Sequence, residues 1–329
     1  MPKEEKNTWR TSEELGSLLP QALFFKNRGS IDRFGFSNVL AEICGLKWPL
    51  RPFAEWVHGW SWDDNPTAAS LGFSNLSRNV PVIVRNQLEF QGLKNDGFDS
   101  IHVGGLPLAY IDKQHRSRNF YSLLVFPPHS SEVDRVNDQQ SEYLDYVTSL
   151  RSDFEEIYVS VFGLDWEGPL HHAARKRNLR IIRGAHPSDA NSLVRVRSLL
   201  DAFAFVTSNT MGSHFVYSLS SGCNFSFCGP QYKYSADIFL GNGNLNNHSL
   251  QKIERFIEIQ SEVYLKSRFG RFYVDHPHKG EADLNYGQFE IGSHNILSKD
   301  KIKHLLGWSF YGQFTGLIRG ARNRLNRKE

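Results

Sequence analysis

Residues 180–230 read RIIRGAHPSDANSLVRVRSLLDAFAFVTSNTMGSHFVYSLSSGCNFSFCGP, and this stretch predicts the fold class. Three short apolar runs alternate with two segments whose apolar residues recur at helical spacing. The apolar runs lie at 179–182, 202–206 and 223–228, and the helical segments lie at 191–201 and, after the turn that ends at His214, up to 222. This β-α-β-α-β pattern is typical of a parallel α/β sheet. Ligands of such sheets bind at the carboxyl ends of the strands, where helix N-termini attract phosphate.

The bulk composition limits the class of protein. The chain has 329 residues, of which 40% are hydrophobic and 13% aromatic, enough for the cores of two α/β domains. A formal net charge of +3 is too small to indicate a nucleic-acid partner. Three cysteines do not make a disulfide framework. With its polar N-terminus and without a long apolar run, the sequence predicts a cytoplasmic protein.

The order of elements predicts two Rossmann-like domains and a tail. The predicted bounds are 1–150 for an N-terminal domain, 151–300 for a C-terminal domain, and 301–329 for a helical basic tail. The strand-like runs at 80–84, 100–103 and 122–126 are all assigned to the sheet of the first domain. Residues 250–267 are expected to form one amphipathic helix.

The basic tail suggests a peripheral membrane contact. Five cationic residues crowd the last eleven positions: Arg319, Arg322, Arg324, Arg327 and Lys328. Such a segment can rest on an anionic membrane, here the inner face of the cell membrane. The alternative is a C-terminal helix that packs on the core and ends in a solvated basic tip.

Two turns of the second domain are candidates for binding a phosphate. The first comprises His186, Pro187 and Ser188, and the second comprises Thr207, Ser208, Asn209, Gly212, Ser213 and His214. An imidazole after a strand can donate to a phosphate, while hydroxyls and backbone N–H groups at a helix start form an anion site. A surface turn and ordinary helix capping are the alternatives.

Further candidates come mostly from loops of the predicted first domain. His58, Asp63, Glu132 and Asp189 are the candidate catalytic residues, and Trp60, Gly104, Gly105 and His129 are the candidates for holding an acceptor. A histidine or carboxylate can deprotonate an attacking hydroxyl, and a tryptophan can stack on a sugar ring. Which of the three carboxylates is essential stays open. Tryptophans packed in a core and a rigid Pro-Pro loop before His129 are the alternatives.

The motifs of other nucleotide and metal sites are missing from the sequence. It contains no P-loop, no GxGxxG and no paired CxxC. The residues at 275–283 are metal-friendly in type but lack a recognisable ligand spacing. We therefore expect neither a bound metal nor a cofactor.

Three of these elements together resemble a known pattern. His58-Gly59, His186-Pro187 and the Thr/Ser-rich turn at 207–213 are similar to GT-B glycosyltransferases of bacterial surface polysaccharide biosynthesis. The set looks like that of Kdo transferases and sialyltransferases, and it is also similar to teichoic acid polyol-phosphate transferases. The absence of an Asp-x-Asp triplet favours this metal-independent fold over the other common glycosyltransferase fold.

The resemblance implies two Rossmann-like domains facing across a cleft. It implies transfer from a nucleotide-sugar, CMP-linked in the first group, to a polysaccharide or a lipid-linked oligosaccharide of capsule or lipopolysaccharide. His186 and residues 208–213 would then contact the donor phosphate, and His58 would lie near the reacting centre. Asn65 after Asp63-Asp64 departs from the sialyltransferase motif. The alternatives are a polyol-phosphate transferase of the same fold and a non-catalytic carbohydrate- or nucleotide-binding partner.

Overall fold

The structure, a computed structural model, describes residues 12–113, 118–130, 140–234, 250–309 and 312–314. The strands are β1 (Glu55–Trp56), β2 (Val82–Val84), β3 (Ile101–Val103), β4 (Asn119–Phe126), β5 (Glu156–Val161), β6 (Arg180–Arg183), β7 (Phe203–Ser208) and β8 (Asn224–Phe227). The helices are α1 (Ser12–Ser17), α2 (Phe36–Ile43), α3 (Gln87–Asn95), α4 (Gln140–Ser149), α5 (Pro169–Lys176), α6 (Ser192–Ala202), α7 (Ser213–Ser220), α8 (Leu250–Ile259), α9 (Glu262–Phe269), α10 (Leu284–Glu290) and α11 (Lys299–Leu306).

The chain divides into two compact units, each with its own parallel sheet. The five-stranded unit takes its described residues from 1–21, 113–186 and 194–287, and the three-stranded unit takes them from 22–112, 187–193 and 288–329. Every strand pair in both sheets is parallel. The predicted fold class, α/β with two Rossmann-like units, is therefore confirmed.

The five-stranded sheet has the strand order of a Rossmann fold. Its order is β6-β5-β4-β7-β8, so the first strand of the unit is central and later strands extend it on both sides. In order of appearance within the unit this is 3-2-1-4-5, as in dinucleotide-binding domains. All six residues of β5 are buried, because a parallel strand in the middle of such a sheet is covered on both faces.

Apolar layers hold the sheet in place. On one face, Tyr143 and Leu144 of α4 pack in a buried cluster with Leu123, Val125 and Val159 of the central strands. A second, aromatic cluster surrounds the fully buried Phe215 of α7 and contains Phe225, Phe227, Phe269 and Phe272. Burial of side chains of this size favours folding by about 1.5–3 kcal/mol each. The second cluster fixes α7, and with it the start of that helix.

The three-stranded sheet has the order β1-β2-β3. Helix α3 connects β2 to β3, and the Asn86 side chain caps it by accepting a hydrogen bond from the Glu89 N–H at 3.0 Å. The buried Trp56 of β1 packs edge-on against Phe36 of α2 at a centroid distance of 4.9 Å. These contacts place the loops after β1, β2 and β3 at one edge of this small sheet.

Two predictions about elements are wrong. Residues 122–126 do not join the first sheet, because β4 pairs with β5 and β7 at the centre of the five-stranded sheet. Residues 113–186 belong to that unit, and the predicted domain bounds of 1–150, 151–300 and 301–329 stay predictions. The helix predicted over 250–267 is broken into α8 and α9, since Ser261 caps α9 by accepting a hydrogen bond from the Tyr264 N–H at 3.2 Å. Most of the predicted basic tail lies outside the described residues.

Candidate functional site

The candidate site lies at the carboxyl edge of the five-stranded sheet. Strands β4 and β7 are neighbours, and the connection after β4 leads to β5 on one side whereas the connection after β7 leads to β8 on the other. This is the topological switch point, the usual place for a ligand in an open α/β sheet. The loops after β4 and β7, at 127–130 and 209–212, flank it.

The hydroxyls at the end of β7 bond to the surrounding backbone. The Thr207 Oγ1 donates to the Ser226 carbonyl oxygen at 3.1 Å. The Ser208 Oγ lies 2.6 Å from the Phe126 carbonyl oxygen and accepts a hydrogen bond from the Thr210 N–H at 3.2 Å. Both side chains are fully buried. They join β7 to its neighbouring strands β4 and β8, which positions the loop that follows.

His214 is half-buried in the first turn of α7. Its ring stacks on that of Phe126 at a centroid distance of 5.5 Å, and its Nε2 lies 3.1 Å from the Thr210 carbonyl oxygen. Because a carbonyl only accepts, Nε2 carries the hydrogen and Nδ1 keeps a lone pair. Desolvation, followed by repulsion from His129, lowers the pKa of His214 to about 3. The imidazole is therefore neutral at pH 7 and can accept a hydrogen bond through Nδ1.

The start of α7 offers backbone donors. Gly212 is the N-cap residue in an extended conformation, and no side chain makes the capping hydrogen bond. Ser213 is the first residue of the helix and is half-buried. The N–H groups of a helical first turn that lack a side-chain cap are suited to an anion. A Cβ on Gly212 would lie 3.0 Å from the His214 Nδ1, so the glycine leaves space beside this ring.

The loop after β4 brings His129 to the same edge. His129 is exposed, its ring stacks on Phe162 at 4.1 Å, and its Nδ1 donates to the Ser130 carbonyl oxygen at 3.0 Å. The Asp165 carboxylate fixes this loop by accepting a hydrogen bond from the Ser130 N–H at 2.9 Å. His129 therefore belongs with the five-stranded sheet and not with the first sheet, to which the sequence prediction assigned it. Its acceptor-binding role stays a prediction.

His186 follows β6 at the same edge. The Gly163 N–H donates to the Ala185 carbonyl oxygen at 2.7 Å, which joins the loops after β5 and β6. A Cβ on Gly163 would lie only 2.5 Å from the Cβ and Cδ2 atoms of His186. The glycine is thus required for the histidine to lie where it does. His186, His129 and the 207–214 turn share one sheet edge, although 57 residues separate the two histidines in sequence.

Pro187, Ser188 and Asp189 belong to the three-stranded unit. The Pro187 carbonyl oxygen accepts a hydrogen bond from the Phe34 N–H at 2.8 Å, and that of Ser188 accepts one from the Phe25 N–H at 3.0 Å. Asp189 is buried, and its Oδ1 accepts hydrogen bonds from the Leu23 and Asn191 N–H groups at 2.9 and 3.0 Å. These contacts anchor the backbone near residues 23–34. The predicted donor-binding and catalytic roles stay predictions.

The loop after β1 contains His58, Trp60 and Asp63. His58 is half-buried, with its ring 5.8 Å from that of Phe34. Trp60 is buried, lies 5.5 Å from Trp62 between ring centroids, and donates from Nε1 to the Glu290 Oε2 at 2.7 Å. The Asp63 Oδ1 accepts a hydrogen bond from the Asn65 N–H at 3.1 Å, which closes a turn. The structure gives Trp60 and Asp63 structural partners, and their roles toward a substrate stay predictions.

Gly104 and Gly105 are buried after β3. A Cβ on Gly104 would lie 2.5 Å from the Ile83 Cγ2, and Gly105 has a φ of +74° with its carbonyl oxygen bonded to the Trp56 Nε1 at 2.8 Å. These glycines are therefore explained by close packing. Their predicted role in acceptor binding is not needed to account for them.

Sequence reasoning missed a buried ion network after β2. The Arg85 Nε lies 3.1 Å from the Glu89 Oε1, and the Arg85 NH1 lies 2.6 Å from the Glu290 Oε2. Burial raises the pKa of Glu89, and the nearby Arg85 opposes that shift. An arginine directly after an apolar strand was the available signal. Its partner Glu290 lies 205 residues later, and such a pairing is not readable from sequence.

A cavity beside the 209–211 loop was also missed. It has a volume of about 290 Å³ and lies entirely within the five-stranded unit. Asn209 and Thr210 line it together with residues that follow β8 and residues near the break between α8 and α9. Sequence analysis predicted one continuous helix across this break, so nothing in the sequence indicated this wall of the cavity.

The remaining predictions concern Glu132, bound metal ions and membrane-spanning helices. Glu132 lies outside the described residues. Within the described ranges, no group of His, Cys, Asp or Glu side chains is arranged to hold a metal ion. The same part of the chain contains no helix long and apolar enough to cross a membrane.

No protein-family model matches the sequence, and no curated protein matches it either. Among solved structures, the chain is similar to TarM at 10% identity and a TM-score of 0.30, covering 87% of this chain and 53% of TarM. It is similar to the GtfA/B complex at 12% identity and a TM-score of 0.30, covering 87% of this chain and 55% of that one. It is also similar to UGT89C1 of Arabidopsis thaliana, complexed with UDP-L-rhamnose, at 12% identity and a TM-score of 0.33, covering 90% of this chain and 68% of that one. The chain spans about half the length of the first two. The function therefore has to be argued from the residues of this chain.

Proposed function

We propose that this chain is a metal-independent glycosyltransferase that uses a nucleotide-sugar donor. One observation carries the proposal: the sheet with the order β6-β5-β4-β7-β8 has a switch point flanked by histidine- and hydroxyl-bearing loops. A helix start without a side-chain cap follows one of these loops. Phosphate-bearing ligands suit this combination, because the helix dipole and the backbone N–H groups of a helix start attract negative charge.

The proposed chemistry assigns a separate task to each group. The N–H groups at the start of α7 bind the donor phosphate, and His129 and His186, when protonated, offset the charge that grows on the leaving phosphate. His214 is neutral, so it accepts a hydrogen bond from a hydroxyl of the ligand and does not pair with the phosphate. His58 or a carboxylate, Asp63 or Asp189, serves as the base that activates the acceptor hydroxyl.

The acceptor part of the proposal rests on the resemblance to enzymes of surface glycan synthesis. We propose a polysaccharide or a lipid-linked glycan as acceptor and a CMP-linked sugar as the first donor to test. The Trp60-Trp62 pair is the proposed aromatic surface for a sugar ring. The basic residues at 319–328 are the proposed peripheral contact with the membrane.

Thermal shift measurements with CMP, CDP, UDP and GDP test the proposal. We expect one nucleotide to stabilise the full chain, since a ligand that binds only the native state raises the melting temperature. His186→Ala should reduce this shift, whereas His172→Ala, an exposed histidine of the same unit, should leave it unchanged. If none of the four nucleotides stabilises the protein, the proposed donor class is wrong.

A further inference from the structure

A cavity of about 290 Å³ borders the 209–211 loop, which leads directly into the start of α7. Six of its lining residues carry the argument: Asn209, Met211, Tyr232, Tyr234, Gln260 and Tyr273. Its volume is close to the lower end of small-molecule pockets, which hold ligands in about 300–1,000 Å³. A ligand of one ring with its substituents is therefore the appropriate size.

Aromatic side chains form the walls and hold one another in place. The rings of Tyr232 and Tyr234 meet edge-to-face at a centroid distance of 4.9 Å, and Tyr234 meets Phe256 in the same way at 5.2 Å. The Tyr273 ring stacks on that of Phe227 at 4.7 Å. The Tyr234 hydroxyl lies 3.2 Å from the Thr210 Oγ1. Walls of this kind offer fixed apolar faces and hydroxyl edges to a ligand, at little cost in side-chain entropy.

Two buried amides have carbonyl oxygens without partners. Asn209 is only 2% exposed, and its Nδ2 donates to the Pro230 carbonyl oxygen at 2.9 Å, which fixes the orientation of the amide. Gln260 is 8% exposed. Among the described residues, neither the Asn209 Oδ1 nor the Gln260 Oε1 has a hydrogen-bond partner. Buried acceptors of this kind are costly unless a ligand or water supplies the donor.

The charges around the cavity are few and roughly balanced. The charged lining residues are Lys233 and Glu262, both exposed, and Glu262 pairs with Lys266 at 2.6 Å. The described lining contains no arginine, the usual partner of a phosphate. The unpartnered amide oxygens, together with the Glu262 carboxylate, favour a neutral ligand that is rich in hydrogen-bond donors.

We propose that this cavity binds a neutral monosaccharide ring. A hydroxyl group of the sugar donates to the Gln260 Oε1, which reaches the cavity by a turn about its terminal torsion, and the tyrosines contact the C–H face of the ring. The site is formed by residues that sequence analysis did not assign, apart from Asn209 and Thr210. It does not depend on the proposed nucleotide donor, because its contacts involve no phosphate.

Saturation-transfer NMR on the full chain tests this site. The probes are the methyl glycosides of glucose, galactose, mannose and N-acetylglucosamine, with uridine and cytidine as nucleoside controls. We expect at least one glycoside to receive saturation, and Gln260→Leu to weaken its binding by about tenfold or more. Gln91→Leu, a matched change at an exposed glutamine of α3, should bind like the original chain.

A stability measurement separates ligand binding from a structural role. Because the Gln260 Oε1 has no partner within the described protein, Gln260→Leu should leave the melting temperature unchanged or raise it. The proposal is overturned if no glycoside binds, if only nucleosides bind, or if Gln260→Leu binds sugar normally. A nucleotide response in the thermal shift panel without any sugar binding would overturn this site alone and leave the proposed donor intact.

Discussion

At the residue scale, the surroundings of His214 determine its pKa and its hydrogen-bonding role. Sequence analysis placed it in the donor-binding turn, which was chosen for its hydroxyls and backbone N–H groups. In the structure its Nε2 hydrogen goes to the Thr210 carbonyl oxygen and its pKa falls to about 3. The ring stacking on Phe126 is not visible in the sequence, because Phe126 lies on the neighbouring strand β4.

The first prediction concerns the pH dependence of stability through His214. Its pKa is about 3 in the folded chain and about 6.5 without the fold, so the unfolded chain takes up the proton first. The stabilisation from neutral His214 is thus complete above about pH 6.5 and is lost progressively as the pH falls toward 3. NMR titration of the His214 ring should show no protonation down to about pH 4. A titration midpoint near 6.5 would contradict the described environment.

The second prediction concerns Gly163, which leaves space for His186. In Gly163→Ala the new methyl group meets the His186 side chain at about 2.5 Å, so one of them has to move. We expect a loss of about 1–3 kcal/mol in the free energy of unfolding, measured in urea, together with a smaller nucleotide shift. Gly270→Ala is the control, because nothing lies within 4 Å of a Cβ there. Equal stability of the two variants would show that His186 lies elsewhere.

At the element scale, local patterns predicted much of the five-stranded sheet. The helical segments predicted at 191–201 and after His214 up to 222 correspond to α6 (Ser192–Ala202) and α7 (Ser213–Ser220). The period of apolar residues is a local property, so it can be read directly. The break at Ser261 was missed because the apolar pattern continues through it, and the serine cap is a competing local signal.

The third prediction concerns the ion network after β2. Arg85→Met leaves the buried Glu89 carboxylate without its cation, and we expect a loss of about 3–5 kcal/mol in unfolding free energy. The double variant Arg85→Met with Glu89→Leu should regain part of that loss, because no charge is then left buried. Lys94→Met, at an exposed position of α3, should change stability by less than about 0.5 kcal/mol. A small effect of Arg85→Met in urea unfolding would mean that the network is solvated.

At the scale of the whole molecule, the sequence prediction failed in its grouping of strands. It read the chain as one domain after another, whereas the structure passes between the two units five times, at residues 22, 113, 187, 194 and 288. Strand pairing is non-local, and an apolar run such as 122–126 fits either sheet equally well. This wrong grouping of strands also affected the candidate site. His129 follows β4 and lies at the sheet edge that also presents His186 and the start of α7.

The central claim is that a nucleotide phosphate binds at the switch point of the five-stranded sheet. Hydrogen–deuterium exchange of the full chain, with and without the nucleotide that gives the largest thermal shift, tests it most directly. We predict slower exchange confined to the backbone amides at 209–216 and of His129 and Ser130, since the N–H groups at the start of α7 bind the phosphate and the loop after β4 lies beside them. Protection at 55–64 and 101–106 of the three-stranded unit, with none at 209–216, would contradict the account.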